Sequence, residues 1–304
     1  MEPTVNNVSK PREQSRNWPA VVVVAAYAIL MFLWNSLGWQ HLGLIALAWA
    51  CLTTLPGPRR FVRDWWPLML FWLAYDVMRV FSGSLLNRAA VQSLFDWEAA
   101  LFRAPDGTVW PFHFALWLER SGAAFWPHLL SRVCSQVYLS HLYLMPAIFL
   151  VLWLRRSDRL FRRLLWSFTA LHALSLLIYL VYPAAPPWWV YQNGFRQPAP
   201  GFSMPRELAS GSTLAALFQF NPNRFAAVPS LHGAYPMLLT LVLAYNGERS
   251  RWILFAGLYA ACMWFACVFL NQHYIVDLLM GAAVVPIALI LASPKLREVS
   301  GPRP

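Results

Sequence analysis

An all-α fold, a polytopic bundle of transmembrane helices, is predicted by three features of this sequence. Residues of the AVILMFWYC set make up 59% of the chain and charged residues only 12%. Mean hydropathy is +0.45, well above that of a soluble globular domain. Apolar windows recur at lengths suited to crossing roughly 30 Å of hydrocarbon, about 20 residues each. Basic residues cluster between alternate windows, as topology signals do. A formal net charge of +11 would also fit a nucleic-acid partner. The cations form short clusters rather than one polar face, so nucleic acid is not expected.

Taken in order, the windows run from Trp18 to Leu37, Leu42 to Leu55, Trp66 to Phe81, Val133 to Leu154, Leu164 to Tyr182, Leu231 to Tyr245, Trp252 to Leu270 and Tyr274 to Ala292. They predict about eight crossings. The windows at Leu42 and Leu231 are short, so each is tilted, re-entrant or extended by its flanks. Residues 1–17 are polar and carry Lys10, Arg12 and Arg16. The apolar run behind them is too long for a signal-peptide core and lacks a small-residue cleavage site, so it is kept as a span.

The clusters "SKPREQSR", "RRFVRD", "RRSDRLFRR", "NGERSR" and "PKLRE" all fall on one side of this arrangement, which the positive-inside rule makes cytoplasmic. Both termini lie there, 294–304 being a cytoplasmic tail. Residues 1–304 are expected to form a single membrane domain. The long connections, 83–132 and 183–230, face outward. The first holds "DWEAALFRAPDGTVWPFHF", which reads as short interfacial helices. In the second, "YPAAPPWW" stops a span and offers tryptophans to the interface or to a lipid entrance. The four cysteines lie in or beside apolar runs with no metal or disulfide spacing and read as packing residues.

Two stretches carry chemistry. In "NQHYIVDLLMG", Asn271 to Gly281, His273 and Asp277 are four apart and share a helix face, so the carboxylate can take a proton-bearing nitrogen and leave the other free. An aspartate entering a membrane helix is costly unless it is paired or lines a polar cavity. In "FAAVPSLHGAYP", Phe225 to Pro236, Pro229 suits an opening helical position, Ser230 can cap, and His232 stands where a helix N-terminus attracts an anion. By the cluster count both histidines lie outward. A histidine at a membrane boundary is also compatible with headgroup contact alone, but the combination with Asp277 points to phosphoryl transfer.

At "PSLH" and "HYIVD" the sequence resembles the second and third signatures of the type 2 phosphatidic acid phosphatase superfamily. The fuller stretches, with "YPAAPPWW", are similar to the branch holding fungal inositol phosphorylceramide synthases and related bacterial membrane proteins. The resemblance covers the second half of the chain well and the first half loosely. It implies a catalytic core in the C-terminal half and a bacterial plasma-membrane enzyme. It further implies that His273 takes the phosphoryl group, Asp277 orients it and His232 protonates the leaving group. Departures are present: the Lys-x6-Arg-Pro first signature has no match, and Ala266 and Cys267 stand where the third signature carries Ser and Arg.

Arg79 in "YDVMR" and Arg224 before "PSLH" are candidate replacements for the missing cations, although Asp76 competes for Arg79. His141, Ser230 and Asn271 complete the candidate substrate-binding set, with His141 also readable as a hydrogen-bonded core residue. No cofactor or metal is expected, since the chain offers no carboxylate cluster for one. The expected donor is a lipid phosphate ester. The acceptor is either a lipid alcohol, giving a transferase, or water, giving a phosphatase acting on phosphatidic acid or a prenyl phosphate. A different class, a transporter or channel lined by Asp76, Arg79, His141 and Asp277, has no repeat or matched broken helices to support it.

Overall fold

The computed structural model describes residues 58–198 and 225–299, with isolated helical positions between residues 22 and 46. Side chains at 58–59, 72–73, 76–77, 79–84 and 294–299 lie outside that description, as do most of the windows expected at Trp18 to Leu37 and Leu42 to Leu55. The described residues form helices joined by turns and short extended pieces, with no strand among them. The helices are α1 (Pro58–Leu86), α2 (Ser93–Leu101), α3 (Trp110–Arg120), α4 (Phe125–Leu139), α5 (His141–Leu154), α6 (Asp158–Val181), α7 (Pro187–Asn193), α8 (Leu231–Tyr245), α9 (Ser250–Phe269) and α10 (Ile275–Val299).

Stretches Asp158–Val181, Ser250–Phe269 and Ile275–Ser293 are each long and apolar enough to cross a membrane, the helical framework of an integral membrane protein. The pair α4 and α5 qualifies together as a fourth, bent by 44°. The window at Val133 to Leu154, expected as one span, is therefore broken at Ser140. Its hydroxyl donates to the Val137 carbonyl and also contacts Tyr259 Oη at 2.6 Å, so the local carbonyl is diverted from the helical ladder. The window at Leu231 to Tyr245 is the 15-residue helix α8, about 22 Å long and short of the bilayer core.

The chain divides into compact units, Met1–Trp66 and Pro67–Pro304. In the first, Arg60 and Arg63 both reach the Asp64 carboxylate, at 3.2 and 3.1 Å, and Phe61 stacks on Trp65. In the second, α8 packs against α6, α9 and α10. Helix α6 buries Leu164, Leu165, Phe168, Leu171, His172, Ser175 and Tyr179, the three- and four-residue spacing of one helical face. His172 on that face is fully satisfied, with Nδ1 donating to Phe168 O at 2.7 Å and Nε2 accepting from Tyr235 Oη at 2.6 Å.

Three extended pieces tie the connections to this bundle. Ala90 bridges to Ala184, and Ala184 to Ala226, in parallel. Ala90 N donates to Pro183 O at 2.8 Å and Ala184 N to Phe225 O at 2.8 Å. The alanines of "YPAAPPWW" are thus the middle rung of a short ladder that anchors the stretch leading into α8. Trp188 and Trp189, expected at the membrane interface or at a lipid entrance, are buried, which removes the interfacial reading. They pack with Ala89, Val91 and Phe225, and Trp189 Nε1 donates to Arg196 O at 2.9 Å. An indole whose N–H finds a carbonyl inside the protein has no need of the interface.

Candidate active site

Helix α8 opens with Ser230 as its N-cap, the hydroxyl accepting from Gly233 N at 3.3 Å. Pro229 does not take the opening helical position, because it precedes the cap. Its carbonyl accepts from Tyr179 Oη at 2.8 Å, which ties the turn to α6. His232 is the second residue of the helix.

Helix α9 ends at Phe269, and Asn271 takes a left-handed conformation with φ 57°. Asparagine tolerates this better than most residues, and it closes the helix. The Cys267 carbonyl then accepts from both Gln272 N and His273 N, at 2.9 and 3.2 Å. His273 and Tyr274 precede the first residue of α10, so His273 lies outside the helix that was expected to carry it. Asp277 in the first turn reaches back to it: Asp277 Oδ2 accepts from His273 Nδ1 at 3.1 Å.

Close approach of the two stretches depends on glycine. A Cβ at Gly281 would fall 2.3 Å from Ser230 O, and one at Gly233 would fall 2.8 Å from Leu278 Cδ2. With no Cβ at either place, Ser230 N donates to Asp277 O at 3.1 Å. Trp264 Nε1 donates to Gly233 O at 3.1 Å. These contacts bring His232 Nδ1 to 3.0 Å from His273 Nε2.

A continuous relay results: His232, His273, Asp277. The carboxylate can only accept while ionised, so His273 carries its proton on Nδ1 and offers a lone pair at Nε2 toward His232 Nδ1–H. His273 is 5% exposed and Asp277 fully buried. A charge-assisted bond of this kind is worth about 1.5–3 kcal/mol net, and it fixes which nitrogen faces outward. Two rings pack on His232. Tyr138 stacks on its ring at 4.4 Å between centroids, and His141 meets it edge-on at 4.2 Å. His141 Nδ1 donates to the Tyr138 carbonyl, so the bend at Ser140 sets a third histidine against the relay.

Of the other candidates, Asn271 is buried, with no hydrogen-bond partner for Oδ1 among the described residues, and shapes the turn before His273. Arg224 lies outside the described residues. Arg79 falls within α1, but its side chain is also outside the description. The positions expected to carry Ser and Arg are filled by Ala266 and Cys267, both fully buried. Cys267 packs with Tyr138, Met263 and Leu278, so that space is taken by core. Among the described residues no group of three or more His, Cys, Asp or Glu side chains is placed to hold a metal ion.

Glu98, on α2, escaped the sequence reading. It is fully buried, and its Oε2 accepts from Val276 N at 3.0 Å, 178 residues away. Tyr274, at the cap position of α10, has no side chain suited to capping, so Glu98 supplies the missing cap from another helix. Caps are worth about 0.5–2 kcal/mol. Burial, opposed in part by hydrogen bonds from Val276 and Ile275, pushes the Glu98 carboxyl up to about 7, and the charge of Asp277 adds to the rise. A sequence signal was present: Glu98 is four residues from Leu94, on the buried face of a short helix.

The PAP2 superfamily pattern matches residues 107–291, and the chain belongs to that superfamily as one of its enzymes. More particularly, it is 26% identical to the phosphoinositol dihydroceramide synthase of Bacteroides thetaiotaomicron over 92% of each chain. It is 31% identical to the inositol phosphorylceramide synthase of Candida albicans over 38% of this chain and 26% of that one. It is 29% identical to the inositol phosphorylceramide synthase catalytic subunit of Schizosaccharomyces pombe over 43% of this chain and 32% of that one. No solved structure matches the chain.

Proposed function

We propose that this protein is a membrane phosphotransferase that moves a phosphoinositol head group from a phosphodiester lipid to a ceramide-type lipid alcohol through a phosphohistidine at His273. The observation that carries the reading is the relay from His232 through His273 to Asp277, 3.0 and 3.1 Å in its two steps. The choice of head group and acceptor is supported by likeness to a phosphoinositol dihydroceramide synthase along 92% of both chains.

In the first half-reaction, His273 Nε2 attacks phosphorus. The bond to the donor's glyceride oxygen breaks, and that oxygen takes the Nδ1 proton of doubly protonated His232. The resting contact between the two rings opens as phosphorus enters between them. In the second half, the acceptor hydroxyl gives its proton to His232 and its oxygen attacks phosphorus, which releases His273. Asp277 holds the His273 proton on Nδ1 throughout and stabilises the cationic ring. His141 and Ser230 line the approach, while Arg79 and Arg224 supply cationic ligands and Asn271 a polar one.

A phosphomonoester near neutral pH carries close to two charges and a diester one, so a water-poor site with fewer cations favours the diester. Burial of Ala266 and Cys267 where the superfamily pattern has Ser and Arg supports that preference. The site faces outward at the ends of about eight spans in one membrane domain, with both termini cytoplasmic and the catalytic core in the C-terminal half.

The test offers purified protein in vesicles phosphatidylinositol with a fluorescent ceramide, and separately phosphatidic acid and a prenyl phosphate. Acceptor-dependent inositol phosphorylceramide is expected. Fast phosphate release from the monoesters, without product from the diester, would assign the chain as a lipid phosphatase.

A further inference from the structure

We infer that Glu98 is a positioning residue that sets the register of His273 and Asp277 against His232; this rests on the proposed role of His273 as nucleophile. A buried carboxylate in a membrane protein is expensive, and an apolar residue would fill the face of α2 more cheaply. Glu98 is nonetheless fully buried, on the same face of α2 as Leu94, which packs in an apolar cluster with Tyr274. It holds Val276 N at 3.0 Å. Val276 adjoins Asp277, whose backbone carbonyl takes Ser230 N and whose side chain takes His273 Nδ1.

A single buried acceptor therefore fixes the backbone from which both reaching contacts start. Freeing Val276 N–H would let the first turn of α10 fray, since Tyr274 cannot cap it. Asp277 would lose its aim at His273, and His273 Nε2 its alignment with phosphorus. Displacements near 1 Å in such an arrangement cost about 10²-fold in rate. The hydrogen bond of Glu98 goes to the α10 backbone at Val276, so the loss is expected in kcat. It also lies upstream of the 107–291 stretch that matches the superfamily.

Two replacements separate reach from charge. Glu98→Asp keeps the carboxylate but retracts it by one methylene, and its kcat is expected to fall roughly 10- to 100-fold with KM within about 2-fold. Glu98→Gln keeps the acceptor at full length and is expected to stay within about 3-fold of wild type in kcat. Both are assayed as monodisperse full-length protein with phosphatidylinositol and fluorescent ceramide, beside His273→Ala. Unchanged kcat in Glu98→Asp, a change confined to KM, or a Glu98→Gln variant as impaired as Glu98→Asp would overturn the positioning role. Activity retained by His273→Ala would instead overturn the nucleophile, and the role of Glu98 with it. Loss in His273→Ala with none in Glu98→Asp leaves the nucleophile standing and removes Glu98 alone.

Discussion

His232 Nδ1 lies 3.0 Å from His273 Nε2, although the residues are 41 apart in the chain, one in the first turn of α8 and the other in the turn that precedes α10. In the proposed mechanism these are the two nitrogens that face the phosphorus, so the pair is expected to act as one unit. Single His232→Ala and His273→Ala replacements are each expected to lower turnover at least about 10³-fold, and the double replacement no further, because groups that act together give non-additive losses. Steady-state product formation measures this. Substantial activity in His273→Ala would remove covalent catalysis at that position.

Asp277 is fully buried, and Oδ2 accepts from His273 Nδ1 at 3.1 Å. Asn keeps an acceptor of the same length but no charge, so it can orient the ring without stabilising its cation. Asp277→Asn is expected to remain folded and to lose about 10²-fold in kcat, within the range of general acid–base effects. A variant as inactive as His273→Ala, measured on equally monodisperse protein, would mean that the charge does more than orient and stabilise.

How much of this was legible in the sequence follows from sequence distance. The spacing of His273 and Asp277 is local, and four residues place them within reach even though His273 falls before the helix begins. Pairing of His232 with His273 was expected from a topology count, which cannot supply the 2.3 Å constraint at Gly281 that sets how closely the stretches pack. Glu98 is legible only as a residue on the buried face it shares with Leu94; its partner is a backbone N–H 178 residues away, and no side-chain pattern encodes such a contact. The interfacial reading of Trp188 and Trp189 fails for a related reason: an indole suits an interface or a core, and the packing on Phe225 decides between them. The break at Ser140 depends on one hydroxyl and a tyrosine 119 residues on, which hydropathy averages away.

Gly281 and Gly257 provide a matched pair. A Cβ at Gly281 would meet backbone, 2.3 Å from Ser230 O and 3.1 Å from Ser230 C, whereas the nearest atom to one at Gly257 is Thr240 Cγ2 at 4.0 Å. Backbone cannot step aside as a side chain can, so Gly281→Ala is expected to destabilise by about 1–3 kcal/mol and to lose activity as Ser230 and His232 move away from α10. Gly257→Ala adds a helix-favouring residue at ordinary van der Waals distance from its neighbour and is expected to stabilise by up to about 1 kcal/mol. Thermal unfolding in detergent reads both. Equal melting temperatures for the two variants would contradict the close approach.

Glu98 also makes stability depend on pH. Its carboxyl is raised from 4.5 to about 7, first by burial and then by the charge of Asp277, against the hydrogen bonds from Val276 and Ile275. The folded state therefore binds this proton more tightly than the unfolded chain. For a carboxyl shifted upward, the stabilising contribution is complete below about 4.5 and is lost as pH rises through about 7. Across that window the shift is worth up to about 3 kcal/mol, since one pKa unit corresponds to about 1.4 kcal/mol. Asp106 moves the opposite way, held near 2 by hydrogen bonds from Thr108 and His113, and its contribution changes only in stronger acid. Wild-type protein is thus expected to melt at a lower temperature at pH 8 than at pH 5. Glu98→Gln, with no proton to lose, is expected to flatten that slope while keeping the cap on Val276. If the slope is the same in both proteins, the carboxyl is already ionised at pH 5 and its burial does not govern its proton.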